Sequence, residues 1–213
     1  MSSLSRKAVT LAAMLLALAA IGYSLWRADW RYSLPTPRPA GLAQPDCVEP
    51  ELLARLRAAA GASAAAQPLL VHFGNPECPC TRFNREHVLE LAPVCGAAIA
   101  QLALVELPEG GITAEVTRDE ELRLPALAED DGRIARALGV YSTPQAVLID
   151  GAGRIYYRGN YNESRYCTRP ESAYVALAVA ALRAGRECPP FPPVARQAYG
   201  CELPNRAWEP RSP

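Results

Sequence analysis

The sequence predicts an α/β fold: one small mixed sheet flanked by helices, carried behind an N-terminal membrane helix. Three observations lead there. Apolar runs of strand length alternate with runs of helical spacing through the middle of the chain. The turn Asp150-Gly151-Ala152-Gly153 joins two strand-like runs, as a hairpin connection does. An uncharged run from Ala8 to Trp26 follows Arg6 and Lys7 near the start.

The first element is that run. At about 1.5 Å per residue it nearly spans a hydrocarbon core of roughly 30 Å, and Tyr23 and Trp26 stand at its far end, where amphipathic rings favour the interface. Ala17-Leu18-Ala19 resembles a signal-peptidase site, but the apolar run continues past it, which favours an uncleaved anchor over a cleaved leader. Proline then marks the edges of the folded part, with Pro35, Pro37, Pro39, Pro45 and Pro50 before it and a second cluster from Pro189 onward. The expected organisation is a cytoplasmic N-terminus (1–7), a transmembrane anchor or signal peptide (8–26), a Pro-rich stalk (27–46), a folded domain (47–188) and an irregular Pro-rich tail (189–213).

Inside the domain, Glu51 to Ala60 reads as a helix and Leu69 to Phe73 as a buried strand. Thr81 to Leu91 has helical spacing and should stop before Pro93. Ile99 to Leu107 is a second strand, parallel to the first because a helix joins them. Arg118-Asp119-Glu120-Glu121 reads as a solvated loop or helix face, and Asp130 to Leu138 as a helix. Gln145 to Asp150 and Arg154 to Arg158 form the hairpin, and Glu171 to Ala184 is the final helix, ended by Gly185.

Composition narrows the function. There are 22 basic and 22 acidic side chains, so the net charge is zero and a nucleic-acid partner is not expected. Two histidines, His72 and His87, cannot make a three-histidine zinc site. The count of seven cysteines is the unusual one, and it suits an oxidising compartment. With the anchor, it predicts a single-pass protein of the cell inner membrane whose domain lies on the periplasmic side.

The chemistry concentrates in Gly74-Asn75-Pro76-Glu77-Cys78-Pro79-Cys80, between strand and helix. Proline favours the first helical position, so Pro79 there makes Cys78 the N-cap. Its sulfur then faces free amides and the positive end of the helix dipole, which stabilises the reactive thiolate. The bland alternative is that Cys78 and Cys80 are small buried hydrophobes or halves of structural disulfides.

These residues resemble the thioredoxin superfamily, and most closely its membrane-tethered redoxin branch, in which the first strand also ends just before a Cys-Pro helix start. A second segment, Ser142-Thr143-Pro144-Gln145 running into the hairpin, is similar to that family's cis-proline loop. A weaker likeness is Tyr199-Gly200-Cys201-Glu202-Leu203, similar to a Gly-Cys segment near the end of some redoxins. The resemblance implies a thioredoxin-like fold, a cis Thr143-Pro144 bond beside the cysteine sulfurs, and a Thr143 backbone free to pair with a substrate chain. It also implies thiol–disulfide exchange on a protein disulfide with a separate redox partner and no cofactor. Two departures stand out. The cysteines are spaced Cys-x-Cys, with Thr81 where the family's second cysteine stands, so the resolving cysteine is Cys80 first, then Cys95 or Cys201. His72 occupies the place, six residues before Cys78, of the family's buried proton-relaying acid, where it reads equally as a relay or as a hydrogen-bonded core histidine. Glu77, next to the nucleophile, is expected to tune its proton. Among Cys47, Cys167, Cys188 and Cys201 at least one structural disulfide is expected.

Three other functions compete. A thiol peroxidase would want a hydroxyl three residues before the cysteine, where Asn75 stands. A copper-binding module would use Cys78 and Cys80 as soft ligands, but has no later histidine to add. A non-catalytic interaction domain would need the cysteines only as braces.

Overall fold

The structure is a computed structural model, and it describes residues 3–76, 78–106, 116–119, 121–129, 132–164 and 167–203. The chain divides into two units, residues 1–34 and 35–213.

The first unit is helix α1 (Ser3–Ser33). Its stretch Lys7–Ala28 is long and apolar enough to cross a membrane, with a mean hydropathy of 2.1, and none of its residues is buried. Ser24 Oγ donates back to Ala20 O at 2.8 Å, so this hydroxyl needs no water. Tyr23, Trp26 and Trp30 form a ladder along one face, with ring centroids 6.0 and 5.5 Å apart. The helix therefore outlasts the expected anchor by about two turns, through residues expected as stalk.

The second unit is built on a six-stranded mixed sheet in the order β3-β4-β2-β1-β6-β7. The strands are β1 (Leu69–Gly74), β2 (Ala100–Glu106), β3 (Val116–Asp119), β4 (Leu124–Glu129), β6 (Gln145–Ile149) and β7 (Ile155–Gly159). Two-residue strands β5 (Ser142–Thr143) and β8 (Cys201–Glu202) pair separately. Strand β1 lies at the centre, parallel to β2 and antiparallel to β6. It is covered on both faces, so it reads as a continuous apolar run rather than an alternation. Leu69, Val71 and Phe73 join the core on one face, with α2 (Pro50–Ala59) and α4 (Arg133–Ala137) packed over it. Leu70 points to the other face, where α3 (Pro79–Cys95) and α5 (Tyr174–Arg183) contribute Val88, Leu91, Val175 and Val179. This layered arrangement, with a cis Thr143-Pro144 bond leading into β6, is the thioredoxin-like fold.

Several elements depart from the sequence reading. Helix α3 runs through Pro93 to Cys95 instead of ending at Leu91; Pro93 gives up one helix hydrogen bond there, and the helix continues only two residues beyond it. Strands β3 and β4 were not expected. Arg118 and Asp119, read as a solvated loop or helix face, lie in β3, a strand at the sheet edge. Pro125 is tolerated in β4 because pairing with β2 begins only at Ala126. The last helix starts at Tyr174, after a short 3-10 turn at Pro170–Ser172.

The proline-rich margins pack on this frame. Val48 N donates to Gly153 O at 2.9 Å and Ile155 N to Asp46 O at 2.7 Å, fastening the stretch before α2 to the hairpin. Between Cys188 and Leu203 the chain forms only a 3-10 turn at Pro193–Ala195 and the short β8, yet Ala195 and Ala198 are fully buried. Thr36 N donates to Ala198 O at 2.8 Å, so the two margins also hold each other.

Candidate active site

The site is assembled at the C-terminal end of β1. The chain leaves the sheet at Gly74, turns through Asn75 and Pro76, and enters α3 at Pro79 with Cys78 as the N-cap in extended conformation. Cys78 N donates to Asn75 O at 3.0 Å, and Thr81 N donates to Cys78 O at 3.1 Å. No side chain caps the helix at Cys78, so the Cys78 sulfur is the side-chain group at the amide-rich end. Thr81 Oγ1 accepts from Asn75 N at 3.3 Å, bracing the turn around Cys78.

Cys78 is disulfide-bonded to Cys201, 123 residues away. This corrects two expectations. Cys80, the first choice as partner, is not in a disulfide, and neither are Cys47, Cys95, Cys167 and Cys188; the structural bridge expected among Cys47, Cys167, Cys188 and Cys201 is not formed. The physical reason is placement. Strand β8 brings Cys201 opposite Thr143 in antiparallel register, directly over the start of α3, whereas Cys80 is already the second residue inside the helix and wholly buried. Burial also pushes the Cys80 thiol above its ordinary range. All the same, the sulfurs of Cys78, Cys80 and Cys201 lie within 4.8 Å of one another. Cys95 is at the opposite end of α3, fully buried, and its thiol is pushed up to about 11 by desolvation.

Thr143 and Pro144 lie against the sulfurs. Cys78 Sγ is 3.8 Å from Thr143 O. The bonded sulfur carries no proton, so this is a contact in the oxidised protein; a reduced thiol there faces the carbonyl as an acceptor. Thr143 is fully buried, and its hydroxyl has no hydrogen-bond partner among the described residues. The Thr143 backbone, expected to be free for a substrate chain, is instead paired with β8. Ser142, which opens the Ser142-Thr143-Pro144-Gln145 segment and was assigned no role from sequence, donates through Oγ to Cys201 O at 2.9 Å.

His72 lies on β1 and is buried. Its Nε2 is 3.1 Å from Gln101 Oε1, an acceptor only, so Nε2 carries the proton and Nδ1 accepts from the Tyr161 hydroxyl at 2.7 Å. Burial pulls its pKa down to about 4. It is a neutral, satisfied core histidine near pH 7. A cavity of about 310 Å³ opens beside it, bounded by Asn75, Thr81, Arg85, Pro144 and Tyr161 among others. Glu77 lies outside the described residues.

Residues 51–202 match a family described as a domain of unknown function, DUF6436. The chain belongs to the DUF6436 family. No curated protein matches it. Among solved structures, this DUF6436 protein resembles a hypothetical protein from Sinorhizobium meliloti 1021, with 19% identity and a TM-score of 0.52 over 82% of this chain and 97% of that one. It also resembles an uncharacterized conserved protein from Geobacillus kaustophilus, at 19% identity and a TM-score of 0.51, over 65% of this chain and 77% of the other. A looser likeness is to the pneumococcal exposed lipoprotein thioredoxin of Streptococcus pneumoniae strain TIGR4, 16% identical with a TM-score of 0.41, over 64% and 98% of the two chains.

Proposed function

We propose that this DUF6436 protein is a membrane-tethered thiol–disulfide oxidoreductase acting on protein disulfides, with Cys78 as nucleophile and Cys201 as resolving cysteine. One observation carries the reading: Cys78 caps α3, touches the Thr143 carbonyl and is bonded to a cysteine from a distant strand. The helix N-terminus favours the thiolate and makes Cys78 a good leaving group as well as a good nucleophile. Reduced Cys78 attacks a substrate disulfide, the mixed disulfide forms, and Cys201 attacks Cys78 to release the substrate thiol. No cofactor is needed. The tether is α1, read as an uncleaved span of the inner membrane with the domain on the periplasmic side.

The test is trapping. With Cys201→Ser, mixed disulfides through Cys78 should accumulate and be mapped by mass; with Cys80→Ser they should turn over nearly as in the parent chain. If Cys78 forms no mixed disulfide in either variant, the reading is wrong. The sulfur triangle supports a second reading, in which the reduced protein holds a soft ion such as Cu(I) on Cys78, Cys80 and Cys201. Stoichiometric Cu(I) uptake that disappears with any one of the three cysteines would favour it.

A further inference from the structure

Strand β8 makes the same two kinds of contact that an incoming substrate chain would have to make. It pairs antiparallel with Ser142 and Thr143, at the backbone edge beside the nucleophile, and it presents a sulfur to Cys78. The seat is shaped for it. Gly200 has φ +112°, a conformation that favours glycine, and a Cβ there would meet Thr143 O at 2.2 Å and Pro144 Cδ at 3.3 Å. Ser142 Oγ reaches Cys201 O, and Thr36 Oγ1 lies 3.4 Å from Gly200 O as donor. Firm anchorage lies to either side of the covering residues, at buried Ala198 and at Leu203, whose N donates to Tyr141 O at 3.2 Å. Only the short piece between has to move for the seat to empty.

Taking the thiol–disulfide reading as its basis, we propose that Gly200-Cys201-Glu202 is a built-in stand-in for a substrate segment. It leaves the Thr143 edge on reduction, is replaced there by an extended chain carrying glycine before its reactive cysteine, and returns in the step that expels that chain. Resolution and product release are then one event, because Cys201 and the substrate cysteine compete for one sulfur while their backbones compete for one edge.

The electrons balance with an external dithiol as reductant. Its thiolate attacks Cys201, which is part-exposed whereas Cys78 is 2% exposed, and Cys78 leaves as a thiolate. The second thiol of the reductant then frees Cys201 and carries the disulfide away. Cys78 next attacks one sulfur of the substrate disulfide, and the other leaves as a thiolate and takes a proton. Finally Cys201 attacks Cys78, the Cys78–Cys201 bond re-forms, and the second substrate sulfur leaves reduced.

The experiment uses the full chain in detergent with Cys47→Ser, Cys80→Ser, Cys188→Ser and Cys201→Ser together, so that Cys78 is the only sulfur of the triangle and no exposed or part-exposed free thiol remains. Two peptides, Tyr-Gly-Cys-Glu-Leu and Tyr-Val-Cys-Glu-Leu, are each activated as a mixed disulfide with thionitrobenzoate, and release of the yellow thiolate is timed. The glycine peptide should react at least about tenfold faster. Equal rates, with Cys78 still reacting with the free aromatic disulfide, overturn the stand-in and leave the oxidoreductase reading in place. Failure of Cys78 to react with any of the three removes both. A second arm changes Gly200→Val alone: the mixed disulfide with substrate should live at least about tenfold longer, and an unchanged lifetime also overturns the proposal.

Discussion

Helix α3 carries a cysteine at each end, and the two are opposites. Cys78 precedes its first turn and Cys95 ends its last. Both side chains are almost wholly covered, at 2% and 0% exposure. Burial alone therefore does not separate them. At the N-terminal end the unpaired amides and the dipole favour a thiolate; at the C-terminal end the dipole opposes one, and desolvation takes Cys95 up to about 11. Cys78 also has a neighbouring strand that supplies a second sulfur. What distinguishes the two sulfurs is which end of the helix each occupies and what the sheet edge lays across it.

The largest expected effect concerns catalysis. With Cys78 as the proposed nucleophile, Cys78→Ser should lower the rate of peptide-disulfide reduction by about 100-fold or more, while Cys95→Ala should leave it within about twofold. Comparable losses would dissolve the contrast. The next effect is chemical. In the reduced protein at pH 7, iodoacetamide should modify Cys78 at least about tenfold faster than Cys95, since a thiol at about 11 is ionised only to roughly one part in 10⁴. Peptide mass mapping of a timed reaction reads this directly.

A third prediction asks whether burial without a helix N-terminus holds other groups in the uncharged state. Glu106 is buried at the end of β2, beside Glu129 in the register, and desolvation followed by repulsion from Glu129 raises its pKa to about 8. The folded state then keeps a proton that the unfolded chain gives up above about 4.5. Stability from this group is full below that pH and is lost as pH rises toward 8. Glu106→Gln should therefore gain stability relative to the parent as pH climbs through that window, seen as a shift in denaturant midpoint. A constant difference would mean that Glu106 is not protonated in the fold. The smallest effect is the absence of one. His72, with its pKa near 4, should show no ring titration by NMR between pH 5 and 8; its ordinary value near 6.5 would restore the relay role. The same depression means that stability is present above about 6.5 and lost as pH falls toward 4.

Much of the frame was legible because it is written locally. The N-cap at Cys78 follows from Cys-Pro at the end of an apolar run, and the hairpin follows from Asp150, whose Oδ1 accepts from Ala152 N and Arg154 N at 2.9 Å. Strand β4 was not legible, because Leu124-Pro125-Ala126-Leu127 carries a proline and helix-favouring residues and becomes a strand only when β2 and β3 pair with it. His72 stayed open between two roles until Gln101 and Tyr161 were seen on its two nitrogens. The role of Ser142 had no sequence signal at all.

By itself the sequence determined the apolar span, the alternation that builds the sheet, and the placing of one sulfur at the mouth of a helix, because each depends on neighbours a few residues apart. Only the tertiary structure decided which sulfur it meets. Cys80 is two residues from Cys78 and Cys201 is 123 away, yet the distant one holds the bond. The seat is made by the Thr143 edge and the glycine that fits beneath it, and those surfaces come together only after the whole sheet has closed.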